Sequence, residues 1–386
     1  MTEIYLDNAS TTRPSAPVRQ AMLACLQESW GNPSSLHHKG VEAEKLLRGA
    51  ARAVAEVLKV KEKEIYFTSG GTESNNWAIL GAARARKRQG RHVITSAIEH
   101  PSVSGAFDQL REEGFDVTVL PVDGKGLVDP YDLGQAIRPE TVLVSLMAVN
   151  NEIGSIQPIA DCGEMIRRNS SLAAFHVDAV QAFGKLPLNP KAWGVDFLTG
   201  SAHKIYGPKG CGFLYVAEGA RLLPIIYGGG QQKELRSGTE NMPGIAGLGE
   251  AARQALAHFG SNRAGLYALR HQFCQGLMEL EGVSLNGPDR DEEAAPHIIS
   301  ASFKDVRSEV LLHALEEKGI YASAGSACSS HKREISPVLK AIGLDRAAAE
   351  STLRFSLSVE NTEAEIEETL RVLGGILPQL RRFVRK

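Results

Sequence analysis

The sequence lacks several features that mark whole classes of protein. No apolar run approaches the roughly 20 residues that a membrane-spanning helix needs. The first residues, MTEIYLDNASTT, contain neither a basic stretch nor an apolar core, so no secretory signal is expected. Lysine and arginine are scattered among acidic residues and the net charge is −2, so the basic stripe typical of nucleic-acid binding is missing. These absences predict a cytoplasmic protein with no membrane partner and no direct nucleic-acid partner.

Cysteine is also scarce and widely spaced. The chain has five cysteines: Cys25, Cys162, Cys211, Cys274 and Cys328. An odd and dispersed set fits neither a disulfide framework nor a Cys-x-x-Cys metal site, so no metal is predicted. Any cysteine chemistry would rest on one of the five.

The length and the pattern of apolar runs predict two domains. At 386 residues the chain exceeds the roughly 250–300 residues at which one hydrophobic core stops growing. Strands alternate with helices over about the first 200 residues, which predicts a mostly parallel sheet flanked by helices. The order of predicted strands and helices in the later part is typical of a small α+β domain. We therefore expect a large domain at 15–261 and a small domain formed by 1–14 and 262–386.

Polar side chains follow two neighbouring strands of the predicted large domain. A strand at 172–177 leads into Asp178, with Gln181 three residues later, and a strand at 195–199 leads toward Lys204. Parallel strands open their carboxyl ends onto one crevice, where ligands usually bind. Pyridoxal phosphate needs such a pair, because its aldehyde takes a lysine amine and its ring nitrogen takes a carboxylate. The alternative is that Asp178 caps a strand end and Lys204 is a solvated loop lysine.

Further polar groups lie at predicted strand ends. SGGTES at 69–74 precedes a helix predicted at 75–87, and its backbone N–H groups form either an anion site or a plain threonine cap. His100 and Asn151 follow other strands, where His100 can stack on a flat ring or simply cap a helix. A long polar loop spans 227–241, and loops of that length are often functional. The stretch 321–331 is almost all small residues around Cys328, which predicts a mobile loop carrying a thiol.

Ten short motifs occur in order along nearly the whole chain. They are DNASTT (7–12), GNPSS (31–35), SGGTES (69–74), EH (99–100), NNE (150–152), HVDAVQ (176–181), SAHK (201–204), RSGTEN (236–241), GSACSS (325–330) and LRFSL (353–357). Together they resemble the cysteine desulfurases, and the segment around Cys328 resembles their group I members. The resemblance implies fold type I, with a mostly parallel seven-stranded sheet in the large domain, a small α+β domain and a homodimer.

The resemblance also implies a role for each matching residue. Lys204 would bind pyridoxal 5'-phosphate as an imine, Asp178 would pair with the ring nitrogen, Gln181 would meet the ring hydroxyl and His100 would stack on the ring. The residues implied at the phosphate are Gly71, Thr72, Ser201, His203 and, from the other subunit, Thr239. The residues implied at the substrate carboxylate are Arg354, Asn151 and Asn32, and Asn151 is also expected to contact the cofactor.

The implied reaction takes sulfur from L-cysteine, leaves L-alanine and forms a persulfide on Cys328. Lys204 and His100 would share the catalysis. An acceptor protein for iron–sulfur cluster assembly, or one for thiolation of tRNA or cofactors, would then take the sulfur. Some members dock the cluster scaffold through a tail, and this chain stops at Arg385-Lys386, so a specialised acceptor is a second expectation. A selenocysteine lyase, a related aminotransferase or an inactive adaptor are the alternatives.

Overall fold

The computed structural model describes residues 3–324 and 335–382, which together contain 13 strands. These strands are β1 (Ile4–Tyr5), β2 (Ile65–Thr68), β3 (His92–Ser96), β4 (Asp116–Leu120), β5 (Thr141–Met147), β6 (Ala174–Asp178), β7 (Phe197–Ser201), β8 (Gly212–Val216), β9 (Val283–Asn286), β10 (Ile298–Phe303), β11 (Ile320–Tyr321), β12 (Ser323–Ala324) and β13 (Thr352–Ser356).

Helices alternate with the strands of the first half and frame those of the second. They are α1 (Ala16–Gln27), α2 (His38–Leu58), α3 (Gly71–Arg86), α4 (Pro101–Glu112), α5 (Pro130–Ala136), α6 (Ile159–Asn169), α7 (Met242–Ala257), α8 (Phe259–Met278), α9 (Ser308–Glu316), α10 (Pro337–Ala341), α11 (Arg346–Glu350) and α12 (Glu363–Arg381). None of the helices in the described part of the chain is both long enough and apolar enough to cross a membrane.

One seven-stranded sheet organises the larger part of the chain. Its strand order is β2-β8-β7-β6-β5-β3-β4. The run from β7 to β4 is parallel, and β8 is antiparallel to both of its neighbours. The predicted mostly parallel, seven-stranded sheet is therefore confirmed. Its parallel run brings the carboxyl ends of β5, β6 and β7 to one edge.

Both faces of this sheet are buried under helices. Phe213 and Tyr215 of β8 pack in a cluster with side chains of α2, α6 and α7, whereas Leu214 and Val216 pack in another with α3 and α4. Successive side chains of a strand point to opposite faces, so the two clusters lie on the two sides of the sheet. Burial on both faces explains why these strands read as nearly continuous apolar runs.

The second half forms a smaller antiparallel sheet with its own core. Its strand order is β12-β13-β10-β9, and β1 pairs with β11 beside it. Leu6 from the N-terminal segment packs with Phe273, Phe355 and Leu373 in this core. Leu6 thus packs in the core of the smaller unit, and the division into a large domain at 15–261 and a small domain of 1–14 and 262–386 stays a prediction.

Two predicted boundaries near the site are wrong, and one predicted loop contains a short turn. The strand predicted at 195–199 lies at 197–201, because the Val195 N–H donates to Pro190 O in the preceding turn. The helix predicted from Asn75 begins at Gly71, since the Glu73 carboxylate accepts the Ser69 N–H and stabilises the first turn. The loop predicted at 227–241 contains a short 3₁₀ turn.

Candidate functional site

A cavity of about 260 Å³ opens at the carboxyl ends of β5, β6 and β7. The predicted residues that line it are Gly71, Thr72, His100, Asn151, Asp178, Gln181, Ser201, His203, Lys204 and Arg354. The others are Ala9, Ser10, Asn75, Ser102, Met147, Val149 and Val180. Residues from both sheets therefore meet around one small-molecule site.

Asp178, the last residue of β6, is fixed on both carboxylate oxygens. Its Oδ1 accepts the Val180 N–H at 3.0 Å, and its Oδ2 accepts the Asn75 Nδ2–H at 2.7 Å. Both Asn75 and Asp178 are buried. An ionised carboxylate held in this way presents a fixed acceptor to a protonated ring nitrogen.

The amide of Asn75 also sets the tautomer of His100. Its second N–H donates to Ser102 Oγ at 2.9 Å, so the Ser102 hydroxyl proton is free to donate to His100 Nδ1 at 2.8 Å. The Ser102 N–H donates to the same nitrogen. His100 Nδ1 is therefore an acceptor, and in the neutral ring the proton sits on Nε2. Burial lowers the pKa of His100. The charge of Asp178 partly offsets this decrease, and the charge of Lys204 adds to it.

Lys204 ends a 3₁₀ turn that follows β7. Its Nζ donates to Ala9 O at 2.5 Å and to Ser10 O at 2.8 Å. Those two carbonyls belong to the DNASTT motif, nearly 200 residues away in sequence. The amine is thus held inside the cavity by the N-terminal segment and is not a solvated loop lysine.

One end of the cavity has the chemistry of a phosphate site. The first turn of α3 supplies backbone N–H groups at a helix N-terminus, and Gly71 allows close packing there, since a Cβ would lie 2.8 Å from Val180 Cγ2. Ser201 Oγ is buried and has no hydrogen-bond partner among the described residues. An anion would satisfy this hydroxyl, so the residues fit a phosphate group.

His203 and Lys209 extend this end into an adjoining cavity of about 460 Å³. Burial lowers the pKa of His203 to about 4, with Lys204, Lys209 and Lys185 contributing in the same direction. His203 is therefore neutral at pH 7 and can donate one hydrogen bond to an anion without adding charge.

Arg354 of β13 closes the other end of the cavity. Its Nη1 donates to Asn151 O at 2.9 Å, and its Nη2 donates to Asp7 Oδ1 at 2.8 Å and to Ser10 Oγ at 2.6 Å. Its Nε is buried and has no partner among the described residues. An unpaired buried donor of a guanidinium is costly, and a bound carboxylate would satisfy it.

Two predicted residues, Asn32 and Thr239, are described by the structure but do not line this cavity, and a third lies outside the described residues. Asn32 is exposed, and its Oδ1 accepts the Ser34 N–H inside its own turn, so the structure does not place it beside Arg354. Thr239 is exposed as well, in a loop held by the Arg236–Glu73 ion pair. Cys328 lies outside the described residues.

Sequence reasoning missed Asn75, Ser102, Asp7 and Ser10. A signal for Asn75 was present, since it lies three residues after Thr72 and so on the same helix face. Ser102 lies two residues after His100, the usual spacing for a capping contact. Nothing local indicates that Asp7 and Ser10 contact Arg354, because that contact crosses about 345 residues of chain.

Comparisons with known proteins agree on one family. The model of the class-V aminotransferase family matches residues 4–369. Cysteine desulfurase IscS of Methanosarcina thermophila is 43% identical over 380 residues, which cover 98% of this chain and 93% of that protein. A solved structure described as a NifS-like protein has a TM-score of 0.92 at 38% identity, covering 98% of this chain and 100% of its own. Another, described as SspA in complex with cysteine, has a TM-score of 0.82 at 35% identity, covering 94% and 100%.

Proposed function

Because the chain belongs to the class-V aminotransferase family and is a cysteine desulfurase that uses pyridoxal 5'-phosphate, we propose that Lys204 holds the cofactor's aldehyde and Asp178 its ring nitrogen. The observation that carries the proposal is that one cavity contains both the Lys204 amine and a carboxylate fixed on two sides. When bound, the cofactor supplies an electron-accepting ring.

His100 and Gln181 would make the remaining contacts with the cofactor ring. His100 is a neutral imidazole whose Nε2 carries the proton, so it can stack on a ring and exchange a proton at that nitrogen. Gln181 donates one amide hydrogen to Ala9 O at 2.9 Å and keeps a second for a ring oxygen.

The phosphate would lie against the start of α3. Gly71 and Thr72 bring backbone donors, Ser201 brings a hydroxyl that is otherwise unpartnered, and His203 brings a neutral ring donor. Thr239 would reach the same phosphate from a second copy of the chain.

L-cysteine would bind with its carboxylate at Arg354 and Asn151. Arg354 Nη2 already donates to Asp7 and Ser10, so the substrate carboxylate would accept from Nε, which has no partner among the described residues. The contacts from Asp7, Ser10 and Asn151 O hold the guanidinium plane in place before substrate arrives. We keep Asn32 only as a prediction, since it does not line the cavity.

The sulfur of the substrate would be transferred to Cys328. Its thiolate would attack the substrate sulfur, and the bond between that sulfur and the substrate Cβ would break. The electron pair of that bond would stay with the carbon skeleton, which takes up a proton at Cβ and becomes L-alanine, while the sulfur would stay on Cys328 as a persulfide. A free thiol has a pKa of about 8.5, so only a few per cent is ionised at pH 7 and a neighbouring base or cation is needed.

Arg354→Lys should raise KM for L-cysteine by about tenfold or more while kcat falls less. The substitution keeps the charge and removes the Nε donor, and a hydrogen bond to a charged group contributes about 1.5–3 kcal/mol. Steady-state sulfide release over a range of L-cysteine concentrations measures both constants. Arg270→Lys is a matched control, because Arg270 is also 7% exposed but donates to Pro288 O away from the cavity. An unchanged KM in Arg354→Lys would remove Arg354 from the substrate site.

We also propose that the enzyme is a homodimer. Large exposed apolar side chains concentrate in two stretches of the described chain: Leu23, Leu26, Trp30, Leu36 and Val41 in the first, and Leu223, Ile226 and Tyr227 in the second. Such side chains, if contiguous, mark an interface in a soluble protein. The second stretch leads into the loop of Thr239, which would bring that residue to the partner's phosphate.

Leu36→Glu should therefore convert the dimer to a monomer that binds the cofactor at least tenfold more weakly. Leu36 is fully exposed in the single chain, so a glutamate there costs nothing in its fold but is buried as a charge in a dimer. Sedimentation velocity and cofactor titration report the two effects. Tyr131→Glu is the control, because Tyr131 is exposed on α5, outside both stretches. A parent protein that sediments as a fully active monomer contradicts the shared site.

The acceptor can be identified by experiment, and the compartment is proposed from the state of the cysteines. A persulfide has to be passed to a thiol or cluster-assembly protein, and tracing labelled sulfur from loaded enzyme to candidate acceptors identifies it. A cytoplasmic location is our proposal, and it is supported by the four described cysteines, Cys25, Cys162, Cys211 and Cys274, all of which are unpaired thiols.

A further inference from the structure

A buried histidine next to the smaller sheet contacts Gln181, which lines the cavity. His297 immediately precedes β10, is 0% exposed and places its Nε2 3.2 Å from Gln181 Oε1. Its backbone carbonyl accepts the Leu357 N–H, which ties the residue to the end of β13. We infer that His297 is a positioning residue that holds the Gln181 carboxamide with its N–H toward the cofactor, an inference that rests on the proposed contact between Gln181 and the ring oxygen.

The orientation of the carboxamide follows from its two neighbours. Ala9 O can only accept, so the Gln181 amide nitrogen must face it and Oε1 must face His297. Ala9 O also accepts from Lys204 Nζ, so it is shared between two donors. His297 is thus the only described partner of Gln181 Oε1. Without His297, the Gln181 carboxamide would lose the contact that prevents its rotation. Its second N–H would then no longer point toward the ring oxygen of the cofactor.

The protonation state of His297 suits this task. The Gln181 oxygen needs a donor, so the His297 proton sits on Nε2. Burial lowers the pKa of His297 well below its usual value, and the cations of Lys185, Lys204 and Arg354 lower it further. A neutral imidazole has one N–H, and Nδ1 has no partner among the described residues. His297 therefore donates a single hydrogen bond, and that bond goes to Gln181.

A purely structural role for His297 would join the two sheets without affecting ring recognition. The two roles separate when apo-enzyme is titrated with pyridoxal 5'-phosphate and with its 3-deoxy analogue, which lacks the ring hydroxyl. The parent protein should prefer the natural cofactor by about tenfold, the value of one good hydrogen bond. His297→Leu should reduce this ratio to less than about threefold. Gln181→Ala should do the same, and the double variant should show no further loss.

The length of the replacing side chain gives a second readout. His297→Gln carries an N–H at about the reach of Nε2 and should restore the ratio, whereas His297→Asn is too short and should not. If His297→Leu does not fold, the comparison of His297→Gln with His297→Asn still distinguishes a positioning role from a structural one. His92→Leu is the matched control, since His92 is equally buried, bonds Thr141 and Thr118, and lies at the opposite end of the sheet. It should lose stability and keep the ratio.

The outcomes distinguish this inference from the proposal beneath it. If Gln181→Ala loses the preference but His297→Leu and His297→Asn keep it, His297 is only structural and the inference is overturned. If the parent protein binds both compounds equally, the assignment of Gln181 to the ring oxygen is wrong, and the inference falls with it.

Discussion

Replacement of Lys204 by alanine should reduce turnover of L-cysteine by roughly 10²–10⁴-fold, the range for a group that moves protons at the reacting atoms. The substitution removes the amine that the cavity holds beside Asp178. The ring and phosphate contacts that we propose for Asp178, Ser201 and His203 do not depend on this amine, so some cofactor should still bind. Sulfide release and the visible absorption of purified protein measure the two effects separately.

A matched variant separates chemistry from architecture. In the parent structure Lys204 also holds the N-terminal segment through Ala9 O and Ser10 O, so its loss can loosen that segment. Lys204→Arg keeps donors for both carbonyls but cannot bond to an aldehyde, and it should be as inactive as Lys204→Ala while melting closer to the parent. Borohydride reduction of the parent should fix the cofactor to Lys204. Covalent label on Lys185 or Lys209 instead would overturn the assignment.

Replacement of Cys328 by alanine should abolish release of sulfide and L-alanine while leaving the substrate-induced change in the cofactor spectrum. We assign substrate binding to Arg354 and the cofactor residues, whereas in the proposed reaction the sulfur has no acceptor other than Cys328. Stopped-flow absorbance on mixing with L-cysteine, followed by quantification of alanine, reports both halves of the reaction. Loss of the spectral change together with the product would show that Cys328 acts in binding.

The control for this variant is a cysteine that the structure shows to be structural. Burial raises the pKa of Cys211 to about 12, and the residue packs in the large core, so its thiol is inert. Cys211→Ala should lose some stability and keep its rate per folded molecule. If Cys328→Ala formed alanine at close to the parent rate, the persulfide mechanism would be wrong.

The regular elements of the large sheet could be predicted because they depend on local patterns. Buried parallel strands are runs of apolar residues, and parallel crossovers place their carboxyl ends at one edge. For that reason Asp178, Gln181 and Lys204 could be assigned to one site from their positions at strand ends. The errors lie at boundaries, where a single hydrogen bond such as Val195 N–H to Pro190 O decides the first residue of a strand.

The sequence alone thus determined the sheet and the position of Lys204 and Asp178 at its carboxyl edge, since each follows from periodicity and chain order. Only the tertiary structure decided what surrounds them. The carbonyls of Ala9 and Ser10 at Lys204, the Asp7 carboxylate at Arg354 and the imidazole of His297 at Gln181 all arrive from more than 100 residues away. No local propensity encodes such contacts, because they form only when the N-terminal segment and the smaller sheet pack against the edge of the larger one.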